Sequence, residues 1–256
     1  MNPVLAQILE TQEVTDDTGR TWPLQVHISK DEGQFLQQVI RDVQPRVSVE
    51  IGLAFGVSTL YICDAMSEVC GQKHIVCDPD QSSGIDKGFH GIGLKNLHDA
   101  GYDGLVDFHP NSSHILLPQL EREGARVQFA FIDGWHTFDY TFIDFFFIDR
   151  ILDVGGVVVF DDVMYYEAVR KVIRYALTHR AYSYYGGDGH RVSWKRELAS
   201  TVARLPLLRD ISRPDVLVPD AKRGISGRYV ALRKEREDVL GDGKNGSRRW
   251  DQHFEF

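Results

Sequence analysis

Six alternating strand-like and helix-like units followed by one last strand predict a doubly wound, seven-stranded α/β domain with a mostly parallel sheet. Three observations carry this expectation. Short apolar runs, such as Val47–Ile51, Lys73–Cys77 and Val127–Ile132, alternate with longer segments of helical period. Several of these runs end abruptly in an acid or a glycine: Gly52, Asp78, Asp133, and Asp161 with Asp162. Between Val127 and Val163 the chain also reads as a βαβ unit, strand, crossover helix, strand. Strands in such a unit run the same way, so their C-terminal tips share one edge of the sheet.

Composition narrows the class. The chain has 256 residues, enough for one large domain or two small ones, and at 43% hydrophobic and 26% charged it has the composition of a globule with enough apolar material for a core. A net charge of −8 argues against nucleic acid as the main partner. No apolar run approaches the roughly 18 residues of a membrane span, and the first residues lack the basic start and apolar run of a signal peptide. A cytoplasmic protein is expected. Cys63, Cys70 and Cys77 form no C-x-x-C pair and are read as buried, inert thiols.

In chain order, residues 1–28 read as a polar, irregular arm with a turn at Asp16-Asp17-Thr18-Gly19. Such an arm would cross the active edge, bringing His27 or Ser29 near a substrate. Ser29 followed by Glu32 is a capping box opening a helix with Phe35, Leu36, Val39, Ile40 and Val43 inward, ended by Pro45. Val47–Ile51 is the first strand. The E-x-G-x-x-x-G turn of Glu50, Gly52 and Gly56 leads into a helix from Val57 to about Val69. This is neither the G-x-G-x-x-G of a dinucleotide site nor a P-loop, and it suits a ligand such as a nucleoside. Glu50 could equally brace the loop.

Lys73–Cys77 is the second strand, with Asp78 at its tip as a bidentate acceptor for ribose hydroxyls. A helix within residues 84–101 and a strand at Leu105–Phe108 follow. Ser112 or Ser113 would cap the next helix, which contains Pro118. Residues 138–153 form the crossover, whose aromatic run serves the core or a homo-oligomer contact. Tyr165–Arg180 is a helix, Tyr182–Tyr185 the sixth strand and Gly227–Leu232 the last. Residues 186–226 look like an insertion, with a candidate amphipathic helix at Trp194–Leu205, and residues 233–256 like a tail ending WDQHFEF.

The acid tips carry the chemistry. If the two strands are neighbours they lie about 4.8 Å apart, and Asp133, Asp161 and Asp162 would then crowd one volume. Such a cluster calls for a cation, a proton or a basic partner. Mg²⁺ or Ca²⁺ would suit its oxygen ligands. The plainer alternative makes one acid a helix cap and leaves the others in water.

With E-x-G-x-x-x-G, Asp78 and the acid cluster, residues 29–232 resemble the class I S-adenosylmethionine-dependent methyltransferases, nearest to small-molecule O-methyltransferases of the catechol and macrocin types. The resemblance implies a Rossmann-like sheet with a reversed last strand. It implies that Gly52 and Gly56 floor the methionine part of the cofactor, with Glu50 near it. Asp78 would hold the ribose, Ser113 the base, and Trp135 would flank the methyl donor. Asp133, Asp161 and Asp162 match the family's Mg²⁺ ligands, although the third is usually Asn. His136 falls where the catechol enzymes carry a catalytic Lys and is the candidate base, with Asp133 beside it. The acceptor would be a hydroxyl of a small molecule, with no nucleic acid and no membrane involved. A metal-independent N- or O-methyltransferase and a non-catalytic nucleoside-binding module are the alternatives. A nicotinamide dehydrogenase is disfavoured by the missing first glycine of its fingerprint.

Overall fold

A computed structural model describes residues 1–81, 88–189, 220 and 224–237. Its seven-stranded sheet is built from β3 (Val47–Ile51), β4 (Lys73–Cys77), β5 (Val106–His109), β6 (Val127–Ile132), β7 (Leu152–Phe160), β8 (Tyr182–Gly187) and β9 (Val230–Lys234). The strand order is β5-β4-β3-β6-β7-β9-β8, and β9 runs antiparallel to both of its neighbours. The last strand is therefore reversed, as the resemblance implied. From β3 the chain winds outward through β4 to β5, then returns to start β6 on the other side of β3. The connections diverge at this point, leaving a crevice above the β3 and β6 tips.

Both faces of the sheet are covered, which explains the near-continuous apolar strands. Phe129, Phe131, Val157 and Val159 pack with α2 (Lys30–Val43) and α3 (Val57–Glu68) through Leu36, Ile40, Leu60 and Tyr61. The alternate residues Ala130, Ile132, Val158 and Phe160 pack with α5 (Ser113–Arg122), α6 (Phe138–Ile151) and α7 (Glu167–His179) through Leu116, Phe145, Ile148 and Val172. Burying one such Phe contributes roughly 2 kcal/mol. The tips are held level by a continuing ladder. The amides of Gly52, Asp133 and Asp161 donate to Cys77, Ile51 and Ile132 carbonyls at 3.0, 3.0 and 3.1 Å. Side chains four strands apart in sequence are thereby brought to one edge.

Several expectations change. Residues 1–28 are not irregular: they contain helix α1 (Pro3–Thr11) and the hairpin β1 (Glu13–Thr15) with β2 (Thr21–Pro23). Asn2 caps α1 ahead of Pro3, and Leu5, Ile8, Val14, Leu24 and Ile28 join the core. The apolar residues were too sparse to show a period, and burial against the domain decides them. Cys63 and Cys77 are buried, but Cys70 is exposed, because it sits in a left-handed turn (φ +58°) just past α3. The strand after the crossover begins at Leu152, within the stretch 138–153 read as crossover, the third is shifted one residue later, and the last runs on to Lys234. In the aromatic run of α6, Phe145 is core and Phe146 is exposed. The helix α4 (Ile92–Asp99) completes the second unit. The expected helix at Trp194–Leu205 and the WDQHFEF tail lie outside the described residues. Among the described residues no helix is long and apolar enough to cross a membrane.

Candidate active site

A cavity of about 500 Å³ opens at the strand tips. It is lined by the glycine loop, Asp78, Ser112 and Ser113, the segment from Asp133 to Thr137, Tyr140, Tyr166 and the arm residues Val26, His27 and Ile28.

The glycine loop is shaped by two backbone requirements. Gly52 has φ +97°, and a Cβ there would lie 2.3 Å from the Asp133 carbonyl oxygen. Gly56, at φ +81°, is the cap position of α3, and the Gly93 carbonyl closes over it at 3.2 Å from where its Cβ would be. Only glycine meets both conditions. Asp78 ties the loop down. Its Oδ2 accepts from the Leu53 and Ala54 amides at 3.0 and 2.8 Å, and its Oδ1 from the Asp80 amide at 2.7 Å. Oδ1 retains acceptor capacity toward the cavity.

Glu50 departs from the expectation of a place beside the cofactor. It is fully buried and is not part of the cavity wall. Ser58 and Thr59 of α3 donate to its two oxygens at 2.5 and 2.8 Å, and His74 Nε2 lies 2.8 Å from Oε2. His74 in turn meets Ser48 through Nδ1 at 2.8 Å. Glu50 is a brace under the loop, because a carboxylate on this face of β3 finds its partners inside the sheet layer.

The acid edge lies on the other side. Asp133, His136 and Asp162 each offer a ligand atom within 4.8 Å of the others. His136 Nε2 is 3.0 Å from Asp162 Oδ2, and its ring stacks on Tyr166 with centroids 4.5 Å apart. Asp162 adopts φ +57°, a left-handed conformation that Asn and Asp tolerate better than other side chains. Asp161 does not join this trio. It is buried, its Oδ1 accepts from the Asp162 amide at 2.5 Å, and it faces Glu32. Of the expected set of Asp133, Asp161 and Asp162, this geometry brings Asp133 and Asp162 together with His136 and leaves Asp161 apart. The reason is the turn at Asp162, which sends consecutive carboxylates in different directions.

Glu32 is the residue that sequence reading missed. Ser29 accepts from the Glu32 amide at 3.2 Å as a cap should, but the Glu32 side chain does not return the bond. It is fully buried against the acid edge, 3.9 Å from Arg228 Nε. Burial, and then Asp161 and Asp133, raise its carboxyl pKa well above the usual range. Burial and the facing Asp161 and Asp162 do the same for Asp133, and burial does so for Asp161. Arg228 opposes the rise at all three. A capping-box motif hid Glu32, and no local signal marks Arg228.

Of the remaining predicted residues, Trp135 stands 62% exposed on the cavity rim and tilts toward Tyr140. Ser113 is buried at the start of α5, where it borders the cavity. His27 reaches the cavity, as the arm reading suggested, and burial followed by Arg228 lowers its pKa. Ser29 serves its helix.

Sequence and structure comparisons bear on the fold. Residues 49–163 match the family model described as a methyltransferase domain. The caffeoyl-CoA O-methyltransferase of Medicago sativa is 28% identical over 162 residues, 57% of this chain and 60% of that one. The flavonoid 3',5'-methyltransferase of Vitis vinifera is 21% identical over 168 residues, 64% of this chain and 67% of that one. Over several such relatives, the match spans little more than half of their length. Among solved structures, the O-methyltransferase from Bacillus cereus in complex with SAH superposes with a TM-score of 0.58 at 18% identity, covering 72% of this chain and 83% of that one. SAH-bound PaMTH1 of Podospora anserina gives 0.59 at 13%, covering 92% and 89%. At these identities the solved structures speak to the fold alone. Fold, glycine loop and domain match together make residues 49–163 similar to a methyltransferase domain, on the fold that SAH-bound O-methyltransferases share.

Proposed function

We propose that the protein transfers a methyl group from S-adenosylmethionine to a hydroxyl of a small molecule, assisted by a divalent cation such as Mg²⁺. The observation that supports this most is one cavity that joins the glycine loop and Asp78 to Asp133 and His136, with Asp162 3.0 Å from the His136 ring. The donor set fits a hard cation: two carboxylates and one imidazole within mutual reach, backed by carboxyls that burial leaves short of positive charge. Asp133, Asp162 and His136 would hold it, with Asp161 one turn of backbone away. A bound cation lowers the pKa of an acceptor hydroxyl and fixes its place.

The residues of this chain do the rest by positioning. Gly52 and Gly56 let the backbone approach the methionine part, and Asp78 Oδ1 accepts from the ribose. Trp135 and Tyr166 close the cavity mouth and limit water. Displacement at an activated methyl needs alignment more than acid–base power. His136 takes the acceptor proton if it is not itself a ligand, and Asp162 orients its ring through Nε2. Both roles cannot be filled by the same nitrogen at once.

A second reading has its own support. Arg228 already offsets the acids from within, so a metal-independent transferase would need no ion. The test is transfer of labelled methyl groups to a panel of catechols and vicinal diols, with and without EDTA. Turnover abolished by EDTA and restored by Mg²⁺ is expected. Turnover indifferent to EDTA selects the metal-independent reading, and no S-adenosylhomocysteine binding at all removes both.

A further inference from the structure

The β1–β2 hairpin carries a single aromatic residue, Trp22, and sets it against a residue far along the chain. The Trp22 ring stacks on the His90 ring, with centroids 4.4 Å apart and planes 19° from parallel. The hairpin holds Trp22 in that pose. Its Nε1 donates to Asp16 Oδ2 at 3.0 Å, while Asp16 Oδ1 accepts from the Thr18 and Arg20 amides at 2.9 and 3.0 Å. The Arg20 guanidinium lies over the same ring, 4.0 Å from its centroid. The segment on the other side of the stack is constrained too. Gly88, His90 and Gly91 have φ of +89°, +52° and +71°, and a left-handed histidine persists only where its surroundings hold it. Between Gly88 and His90, Phe89 lines the cavity. Its amide donates to the Asp80 carbonyl at 3.0 Å, and its ring meets Phe55 edge-on at 5.2 Å. Phe55, Asp78 and Asp80 line the cavity as well, so Phe89 stands on its Asp78 side.

We infer that Trp22 is a positioning residue for S-adenosyl ligands: through the His90 ring it holds Phe89 in place as the cavity wall beside Asp78. The inference rests on the proposed binding of S-adenosylmethionine with its ribose at Asp78. Phe89 belongs to no strand or helix, and both of its chain neighbours sit at positive φ. Such a segment keeps one shape only while outside contacts favour it over the relaxed alternatives. Without the stack the wall is in place for a fraction of the time. A ligand that needs the wall then shows a dissociation constant raised by the inverse of that fraction. The same hairpin leads on to Val26, His27 and Ile28, which also line the cavity. The arm therefore meets the cavity at two points, at residues 26–28 with its own chain and at Phe89 through the stack.

The test is calorimetric titration of S-adenosylhomocysteine into the wild-type protein, Trp22→Ala, His90→Asn and the double variant. Asn tolerates the left-handed conformation of His90, so that change removes the ring and spares the backbone. Each single change should raise the dissociation constant by about three- to tenfold, the scale of one aromatic stack. Because either change already breaks the stack, the double variant should bind no worse than the weaker single one. Trp22→Phe keeps a ring against His90 and should stay within about twofold of wild type. If Trp22→Ala does not fold, Trp22→Leu takes its place with the same expectation. Wild-type affinity in His90→Asn overturns the inference and leaves the methyltransferase reading intact. Losses that multiply in the double variant do the same, since they mark a Trp22 that supports the arm without acting through His90. Failure of the wild type to bind S-adenosylhomocysteine overturns both.

Discussion

The two sides of the cavity are built on opposite principles. On the β3–β4 side every acid is answered: Glu50 by Ser58, Thr59 and His74, and Asp78 by the Leu53, Ala54 and Asp80 amides. On the β6–β7 side Glu32, Asp133 and Asp161 face one another, with Arg228 as the cation among them. The first side is complete without a ligand and holds a fixed shape. The second crowds buried carboxyls whose protonated form is favoured. A site whose scaffold is satisfied and whose reacting edge is not spends its stability where binding will return it.

The sharpest way to break this comparison is Asp133→Ala. It should lower methyl transfer by about three orders of magnitude, measured with labelled donor. The same variant should be more stable to urea than wild type without divalent cations, since it removes an unfavourably buried carboxyl. Reduced stability under those conditions would mean that the acid edge is not strained.

Asp144→Asn sharpens it through pH. Burial raises the Asp144 pKa from 3.8 to about 7 in the folded protein. Between those values the folded state binds more protons than the unfolded state, so stability falls as pH rises through that window and levels off above it. The Asp144 share of that fall is at most about 4 kcal/mol at 1.36 kcal/mol per unit. Denaturation of the Asn variant at several pH values should show the slope reduced.

On the satisfied side the sign reverses. Glu50→Ala should destabilise the protein by about 3 kcal/mol, because it strands Ser58, Thr59 and His74 in the interior. Equilibrium urea unfolding checks this, and a loss below about 1 kcal/mol would show that the brace is not needed. The smallest effect is expected at Lys73, which pairs with Asp107 in solvent at the opposite end of the sheet. Lys73→Ala should change stability by less than about 0.5 kcal/mol and leave ligand affinity alone.

The glycine-loop side was more legible in the sequence than the acid edge. Gly52, Gly56 and Asp78 lie within one β-α-β stretch, so their spacing carries their geometry. The acid edge was legible only in part. Asp133, His136, Asp161 and Asp162 stand out as strand-end residues, yet spacing could not say that Asp161 turns inward while His136 turns toward Asp162. Glu32 matched a capping box, and the local motif concealed a long-range contact. Asp144 looked like one more residue of a helix. The arm was read as irregular because two turns of helix and a three-residue hairpin leave little periodic signal.

The sequence by itself determined the class of fold, the order of its units, the reversal of β9 through family likeness, and the residues placed at the strand tips. These follow from local causes: apolar period, glycine at forced turns, and acids where strands end. Only the tertiary structure decided which carboxylates face one another, which are satisfied and which wait for a partner. Those outcomes depend on burial and on approach between residues far apart in the chain, as Glu32 and Arg228 are, and a one-dimensional pattern holds no record of such distances.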